Sequence, residues 1–312
     1  MRIEKLDSVE STNKYCEALD LAQVEDFTCY WALEQTAGIG QRGNCWASAP
    51  GENLTFSLVL HPTFLPADRQ FKLTQALSLA ICDFLLFNSS PKIGEGDRRE
   101  AVGEEYEFNS GEGWYAVGSV RQPREAVGEE YDRPSIKWPN DIYVMISNTT
   151  VGSECYHYKK ICGTLVSTRL VGSSIASAVC GIGLNVNQCE FPDWVPNPTS
   201  LSLLTGNRYD LEPLLQQLLV CIERRYNELK SGCDPEQEYL DRLLNLGVPA
   251  RYKYMNTQSS SSPRVGEGDR RAAVVEEYLT ATITGVDPHG RLLLTTADGR
   301  RLSCGMKEIA LL

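Results

Sequence analysis

The chain has 312 residues, 42% hydrophobic and 23% charged, which suits a folded soluble protein of one large or two unequal domains. A formal net charge of -11 opposes non-specific nucleic-acid binding and attachment to anionic membranes, since both surfaces repel a chain of that sign. The N-terminus lacks an apolar core and a cleavage site, so no signal peptide is expected, and the longest apolar stretch, 76–87, is broken by Ser78 and Asp83, too short and too polar for a bilayer span.

In chain order, Ser11 is placed to cap a helix running to about residue 25. Residues 28–34 (TCYWALE) and 54–60 (LTFSLVL) read as strands. Over 67–87, Phe71, Ala76, Leu79, Phe84 and Phe87 recur at helical spacing. Short strands are expected at 135–138 and 142–146 around a Pro139-Asn140 turn, and two more at 158–168 and 175–186. Over 211–230, Leu211, Leu214, Leu215, Leu218, Ile222 and Tyr226 share one face, the mark of a packed helix. From about residue 248 the pattern changes to short alternating runs between tight turns, which suggests a small β-barrel and a domain boundary near Leu246. Eleven scattered cysteines without a C-x-x-C favour buried free thiols in a reducing cytoplasm over a disulfide framework or a zinc site.

Two segments break this rhythm. REAVGEEY stands at 99–106 and again at 124–131, and GEGDRR at 94–99 and again at 266–271. The repeats are too few for a solenoid. They read as inserted surface loops, flexible or weakly helical, with a partner-binding arm as the competing reading.

Residues 35–46, QTAGIGQRGNCW, contain G-x-G-x-x-G at Gly38, Gly40 and Gly43. A dinucleotide fingerprint needs a helix directly after the glycines, whereas here Pro50-Gly51 and a second strand follow. The kinase partners V-A-I-K, H-R-D and D-F-G are absent, and so is a Walker G-K-[ST]. What is left is a loop whose backbone N–H groups can face an anion, with Arg42 to add charge, Trp46 to offer a flat face and Asn53 to read a polar ring edge; an ordinary hairpin loop is the plainer alternative.

With that loop, four further stretches run in order: ESTN at 10–13, KWPND at 137–141, KKICGTL at 159–165 and GIGLNVN at 181–187, followed by NPTSL at 197–201. Together they closely resemble the biotin–protein ligases, over most of the chain except about 89–133 and 256–278. The resemblance implies an α+β fold: a mixed, largely antiparallel sheet with flanking helices, as in class II aminoacyl-tRNA synthetases, over 1–245, and a C-terminal SH3-like β-barrel over 246–312. It also implies the form without an N-terminal DNA-binding repressor domain, since ESTN begins ten residues in.

The implied reaction joins biotin to ATP as biotinyl-5′-AMP, with Mg2+ neutralising the leaving pyrophosphate, then transfers biotin to a lysine of a biotin carboxyl carrier protein. The resemblance places Lys160 beside the biotin carboxylate and bridging phosphate, and Ser11, Thr12, Gln35, Gly38, Gly40, Gly163 and Gly183 around biotin, with Gly181 letting backbone approach. On the adenylate side it places Arg42, Trp46, Asn53, Lys137 and Asn185, with Arg42 also among the catalytic groups. Asp141 is expected to orient or deprotonate the carrier lysine, which must be neutral to attack. Plainer readings stand beside these: Ser11 as a helix cap, Trp46 as a core residue, Asp141 as a turn residue, Lys160 as a solvated strand-end lysine, the glycines as tight strand packing. No protein metal site is expected.

The sequence departs from the family pattern at Ile39, where an arginine is usual, and at Gln41 and Ser167. Weaker retention of the adenylate is therefore expected. A lipoate–protein ligase and a degenerate biotin-binding protein are the rival readings. The expected setting is cytoplasmic, without DNA or membrane partners, and the resemblance allows a homodimer.

Overall fold

The computed structural model describes residues 1–40, 45–88, 105–109, 113–117, 133–150, 153–254, 278–306 and 308–311, with side chains set aside for 105–109, 113–117, 147–150 and 153–156. Arg42 and Gly43, and nearly all of the two repeat-bearing insertions, lie outside the described residues.

Seven strands form the main sheet. They are β1 (Arg2–Val9), β2 (Thr28–Gln35), β3 (Leu54–Leu60), β6 (Ser135–Lys137), β7 (Asp141–Thr150), β8 (Ser153–Val171) and β9 (Ser174–Leu184), in the order β1-β2-β3-β9-β8-β7-β6. β1 and β2 are parallel, and every other neighbouring pair is antiparallel. Between β1 and β2 runs α1 (Thr12–Glu17), then a 3-10 turn at Leu21–Gln23. The expected helix to residue 25 is therefore cut short: Asp20 accepts a hydrogen bond from Ala22 N–H and starts the separate turn. Ser11 holds the N-cap position in extended conformation, but its side chain makes no capping hydrogen bond. β1 escapes a sequence reading because it is an edge strand whose residues are all at least partly exposed, so it carries no clean apolar alternation.

β3 explains why the sheet has two different faces. All seven of its residues are buried. Leu54, Phe56, Leu58 and Leu60 point into the main core, while Thr55 and Ser57 turn to the opposite face, where α1 packs. The core on the first face is closed by α2 (Phe71–Asn88) and α4 (Leu211–Lys230), with α4 burying Leu214, Leu215, Leu218, Ile222 and Tyr226 as its spacing predicts. Contrary to the sequence reading, the helical stretch Ala67–Asn88 is long and apolar enough to cross a membrane by length and composition; its apolarity is accounted for by burial in this core. Two shorter helices, α3 (Leu201–Thr205) and α5 (Glu236–Asp241), were not expected from the sequence; each holds barely more than one turn, too short for a period to register.

The C-terminal region forms a second sheet from β10 (Pro249–Tyr254), β11 (Tyr278–Val286), β12 (Leu292–Thr296), β13 (Arg301–Cys304) and β14 (Ile309–Leu311), in the antiparallel order β13-β12-β11-β10-β14. Among the described residues no pairing joins β13 to β14, so the expected closed barrel is not seen and the sheet is open. Within the first insertion, β4 (Glu105–Asn109) and β5 (Gly113–Val117) pair as an antiparallel hairpin, a β element where loop or weak helix was expected.

Candidate active site

The polar face of the main sheet carries a cavity of about 100 Å³ between α1, the 39–46 loop, β8 and β9. Its floor is glycine. Gly183 pairs with Gly163, and Gly181 with Leu165, across β8 and β9. A Cβ at Gly181 would overlap the Asn13 side chain, and one at Gly183 the Trp46 indole. The glycines are therefore required by close approach, as the sequence reading allowed. Two positions along a strand span roughly 7 Å, so the floor has two separate ends.

At the Gly181 end the groups are neutral and hydrogen-bonding. Gln35 Oε1 accepts from Thr12 N–H at 2.7 Å and from the Thr12 hydroxyl at 3.2 Å. Ser57 Oγ lies 2.7 Å from Thr12 Oγ1 and 2.6 Å from Asn13 Oδ1, so its single proton serves one of them at a time. Ser11, Thr12 and Asn13 are all buried here.

At the Gly183 end sit the charges. Lys160 Nζ lies 2.8 Å from Asp141 Oδ2 and 5.7 Å from the centre of the Trp46 ring. Strand alternation alone would separate Lys160 from Gly163, because three positions apart means opposite faces. A register shift corrects this: Ile142 pairs with Cys162, but Tyr143 pairs with Lys160, leaving Ile161 as an extra residue. The bulge sends Ile161 and Cys162 both into the core and returns Lys160 to the face of Asp141 and Gly163. The pair is part-exposed, with side chains 26% and 32% accessible, so it contributes about 1 kcal/mol or less. Either partner can be exchanged for a ligand at small cost. Burial, helped by the Asp141 charge, pushes the neighbouring Tyr143 phenol up to about 12, so it is neutral at ordinary pH.

Trp46 divides this cavity from a cleft of about 790 Å³ that reaches the second sheet. Lys137, Asn185, Trp138, Phe191 and Trp194 line the cleft, together with Tyr252 and Ile283 of the second sheet. The 39–46 loop returns on itself at its base: Trp46 N–H donates to Gly38 O at 2.9 Å, and Ile39 bridges Cys45. Gly38 packs on the Trp46 backbone, while Gly40 and Ile39 reach the cavity wall. Three buried polar atoms around the two spaces make no hydrogen bond among the described residues: Trp46 Nε1, Thr164 Oγ1 and Asn185 Oδ1. Each costs about 1–3 kcal/mol while unsatisfied.

Of the residues singled out in the sequence, Ser11, Thr12, Gln35, Gly40, Trp46, Asp141, Lys160, Gly163, Gly181 and Gly183 come together at the cavity, and Lys137 and Asn185 at the cleft. Asn53 does not line either space. It is 1% exposed, and its amide donates to Gln188 and Ser48 while accepting from Val186 N–H, so it anchors the chain behind the loop instead of facing a ring. Asn13, Ser57 and Thr164 were not singled out, although Asn13 stands in ESTN, Thr164 in KKICGTL and Ser57 in the strand 54–60; the motifs were legible, but which of their residues face the site depended on strand pairing.

A profile of the biotin/lipoate A/B protein ligase family matches residues 6–185, which hold every cavity-lining position named above. The chain belongs to that family. Within its wider relations, the chain is 25% identical over 296 residues to the bifunctional ligase/repressor BirA of Bacillus spizizenii, covering 94% of this chain and 69% of that one, and BirA of Bacillus subtilis gives the same figures. Among solved structures it is similar to the biotin protein ligase from Aquifex aeolicus in complex with biotin and ATP, at TM-score 0.63 and 21% identity over 100% of this chain and 98% of that one. It is also similar to a biotin protein ligase-like protein of unknown function from Silicibacter, at TM-score 0.56 and 11% identity over 97% and 94% of the two chains. At such identities the likeness speaks for the fold alone.

Proposed function

We propose that this chain condenses biotin with ATP to biotinyl-5′-AMP and then transfers the biotinyl group to a lysine of a biotin carboxyl carrier domain. The observation that carries the reading is the two-ended floor of the cavity. Biotin's ureido ring presents N–H donors and a carbonyl acceptor at one end of the molecule and a carboxylate at the other. The neutral end of the cavity, with Ser11, Thr12, Asn13 and Gln35, suits the ring. Lys160 and Asp141 await the carboxylate and its activated form. A lipoyl dithiolane has no use for the hydrogen-bonding end, which favours biotin over lipoate.

In the first step Lys160 leaves Asp141, an exchange that costs little because their pair is part-exposed, to stabilise the charge between carboxylate and α-phosphate. Trp46, which lines both spaces, and Lys137 and Asn185 of the cleft would hold the adenylate, with Trp46 Nε1 and Asn185 Oδ1, unpaired among the described residues, ready for partners. Arg42, outside the described residues, would add a second cation from the loop. A Mg2+ ion arriving with ATP would neutralise the charge of the leaving pyrophosphate. Asp141, freed by Lys160, then accepts the proton that the carrier lysine must lose. The catalytic unit is assigned to 1–245, related to class II synthetases, and the second sheet, 246–312, to an SH3-like unit roofing the cleft.

The test is pyrophosphate release on adding biotin and ATP, with lipoate in parallel, followed by biotin transfer to a carrier domain. Release with biotin and not lipoate is expected. Release with lipoate alone, or with neither acid, refutes the reading.

A further inference from the structure

Asp141 opens β7 directly after a three-residue loop, Trp138-Pro139-Asn140, that joins it to β6, where Lys137 pairs with Asp141. Three contacts from distant parts of the chain pin that loop. Trp138 Nε1 donates to Gly290 O at 3.0 Å, in the β11–β12 turn. The Asn140 amide donates to Thr164 O on β8. The Tyr239 hydroxyl, from α5, donates to Pro139 O at 2.8 Å. Tyr239 is 0% exposed, and Phe71 holds its ring edge-on at 5.7 Å. Phe71 in turn lies against Gly290, where a Cβ would overlap the ring and where φ is +81°.

Tyr239 lines neither cavity nor cleft, and its hydroxyl donates to the carbonyl two residues before Asp141. Pro139 is buried, so its carbonyl needs a donor within the protein, and the Tyr239 hydroxyl supplies one. We propose that Tyr239 is a positioning residue: through the Pro139 carbonyl it fixes the start of β7 and so the carboxylate of Asp141 toward Lys160 and the incoming carrier lysine. The inference rests on the reading of Asp141 as the group that receives that lysine's proton. Burial raises the Tyr239 phenol well above its ordinary value, so it stays a donor throughout the working range of pH.

The experiment is Tyr239→Phe in the full chain, measured by single-turnover transfer from pre-formed biotinyl-AMP to a carrier domain, beside Asp141→Asn and the double variant. The expected result is transfer slowed roughly tenfold by Tyr239→Phe, with biotin affinity of the same protein unchanged and no further slowing when it is added to Asp141→Asn. Parental transfer by Tyr239→Phe while Asp141→Asn is slow overturns the role of Tyr239 alone. Equal slowing in both backgrounds overturns it too, because the two effects are then independent. Parental transfer by Asp141→Asn instead refutes the reading of Asp141 and the inference with it. If the phenyl variant does not fold, Phe71→Leu leaves the hydroxyl but loosens its ring, and is expected to slow transfer in the same Asp141-dependent way; unchanged transfer there counts against the proposal.

Discussion

Asp83 is the polar exception in the apolar helix α2, and replacing it with asparagine has a calculable consequence. The residue is 7% exposed. Its Oδ2 accepts from Arg224 Nη2 and Arg225 Nε, each at 2.7 Å, and its Oδ1 lies 3.6 Å from Arg242 Nη2. These contacts do not weigh equally. Arg224 is 40% exposed, so solvent screens its share to a fraction of a kcal/mol, and the Arg242 contact is long. Arg225, 15% exposed, is the buried partner. Burial pulls its guanidinium down, but hydrogen bonds to Glu238 and Asp83 outweigh this and hold it above its ordinary value. Breaking a buried pair costs about 3–5 kcal/mol, and because Glu238 keeps both terminal nitrogens of Arg225 at 2.7 Å, the lower end applies, about 3 kcal/mol. For a chain of this size that lowers Tm by roughly 4–5 °C. Thermal and urea unfolding of Asp83→Asn, Arg225→Met and the double variant measure it. A melting point within about 1.5 °C of the parent, equivalent to about 1 kcal/mol or less, refutes the weighting.

Gly183→Val places a side chain inside the Trp46 indole, so the ring must leave the cavity wall and biotin-dependent pyrophosphate release should fall at least about a hundredfold; release near the parental rate would mean the ring has room to move. Ile39→Arg adds a cation at the cavity wall and should slow biotinyl-AMP escape roughly tenfold, read by a filter or gel-exclusion chase, with an unchanged escape rate counting against the loop's role as adenylate cover. Burial holds the Cys16 and Cys82 thiols up at about 12, so at pH 8 their thiolate fraction is negligible, whereas Cys45, Cys189 and Cys233 are exposed. Aromatic-disulfide titration should therefore label those three quickly and Cys16 and Cys82 only on unfolding, and saturating biotin with ATP should protect Cys45, which lines the cavity. Fast labelling of Cys16 or Cys82 in the folded chain would contradict the packing around them.

The sequence by itself determined what is written in local spacing. The apolar period of α4, the buried run of β3, the turn chemistry of the C-terminal strands and the glycines beneath the site were all legible, because each reports on neighbours a few residues away. The register of motifs from Ser11 to Asn185 pointed to the family now matched over residues 6–185. Other features depended on distant chain segments. Lys160 shares a face with Asp141 only because of a bulge set by the pairing of β7 with β8. Asn53, polar and beside the loop, turned inward because Gln188 and Val186 were there to meet it. A helix apolar enough for a membrane became a core element once Asp83 found three arginines from α4 and the chain beyond α5. Tyr239, which no spacing marks, was brought to Pro139 from 100 residues away. Local pattern fixes which face of an element is apolar, but the partner of a polar group is chosen by burial and pairing between segments, and only the folded chain contains that information.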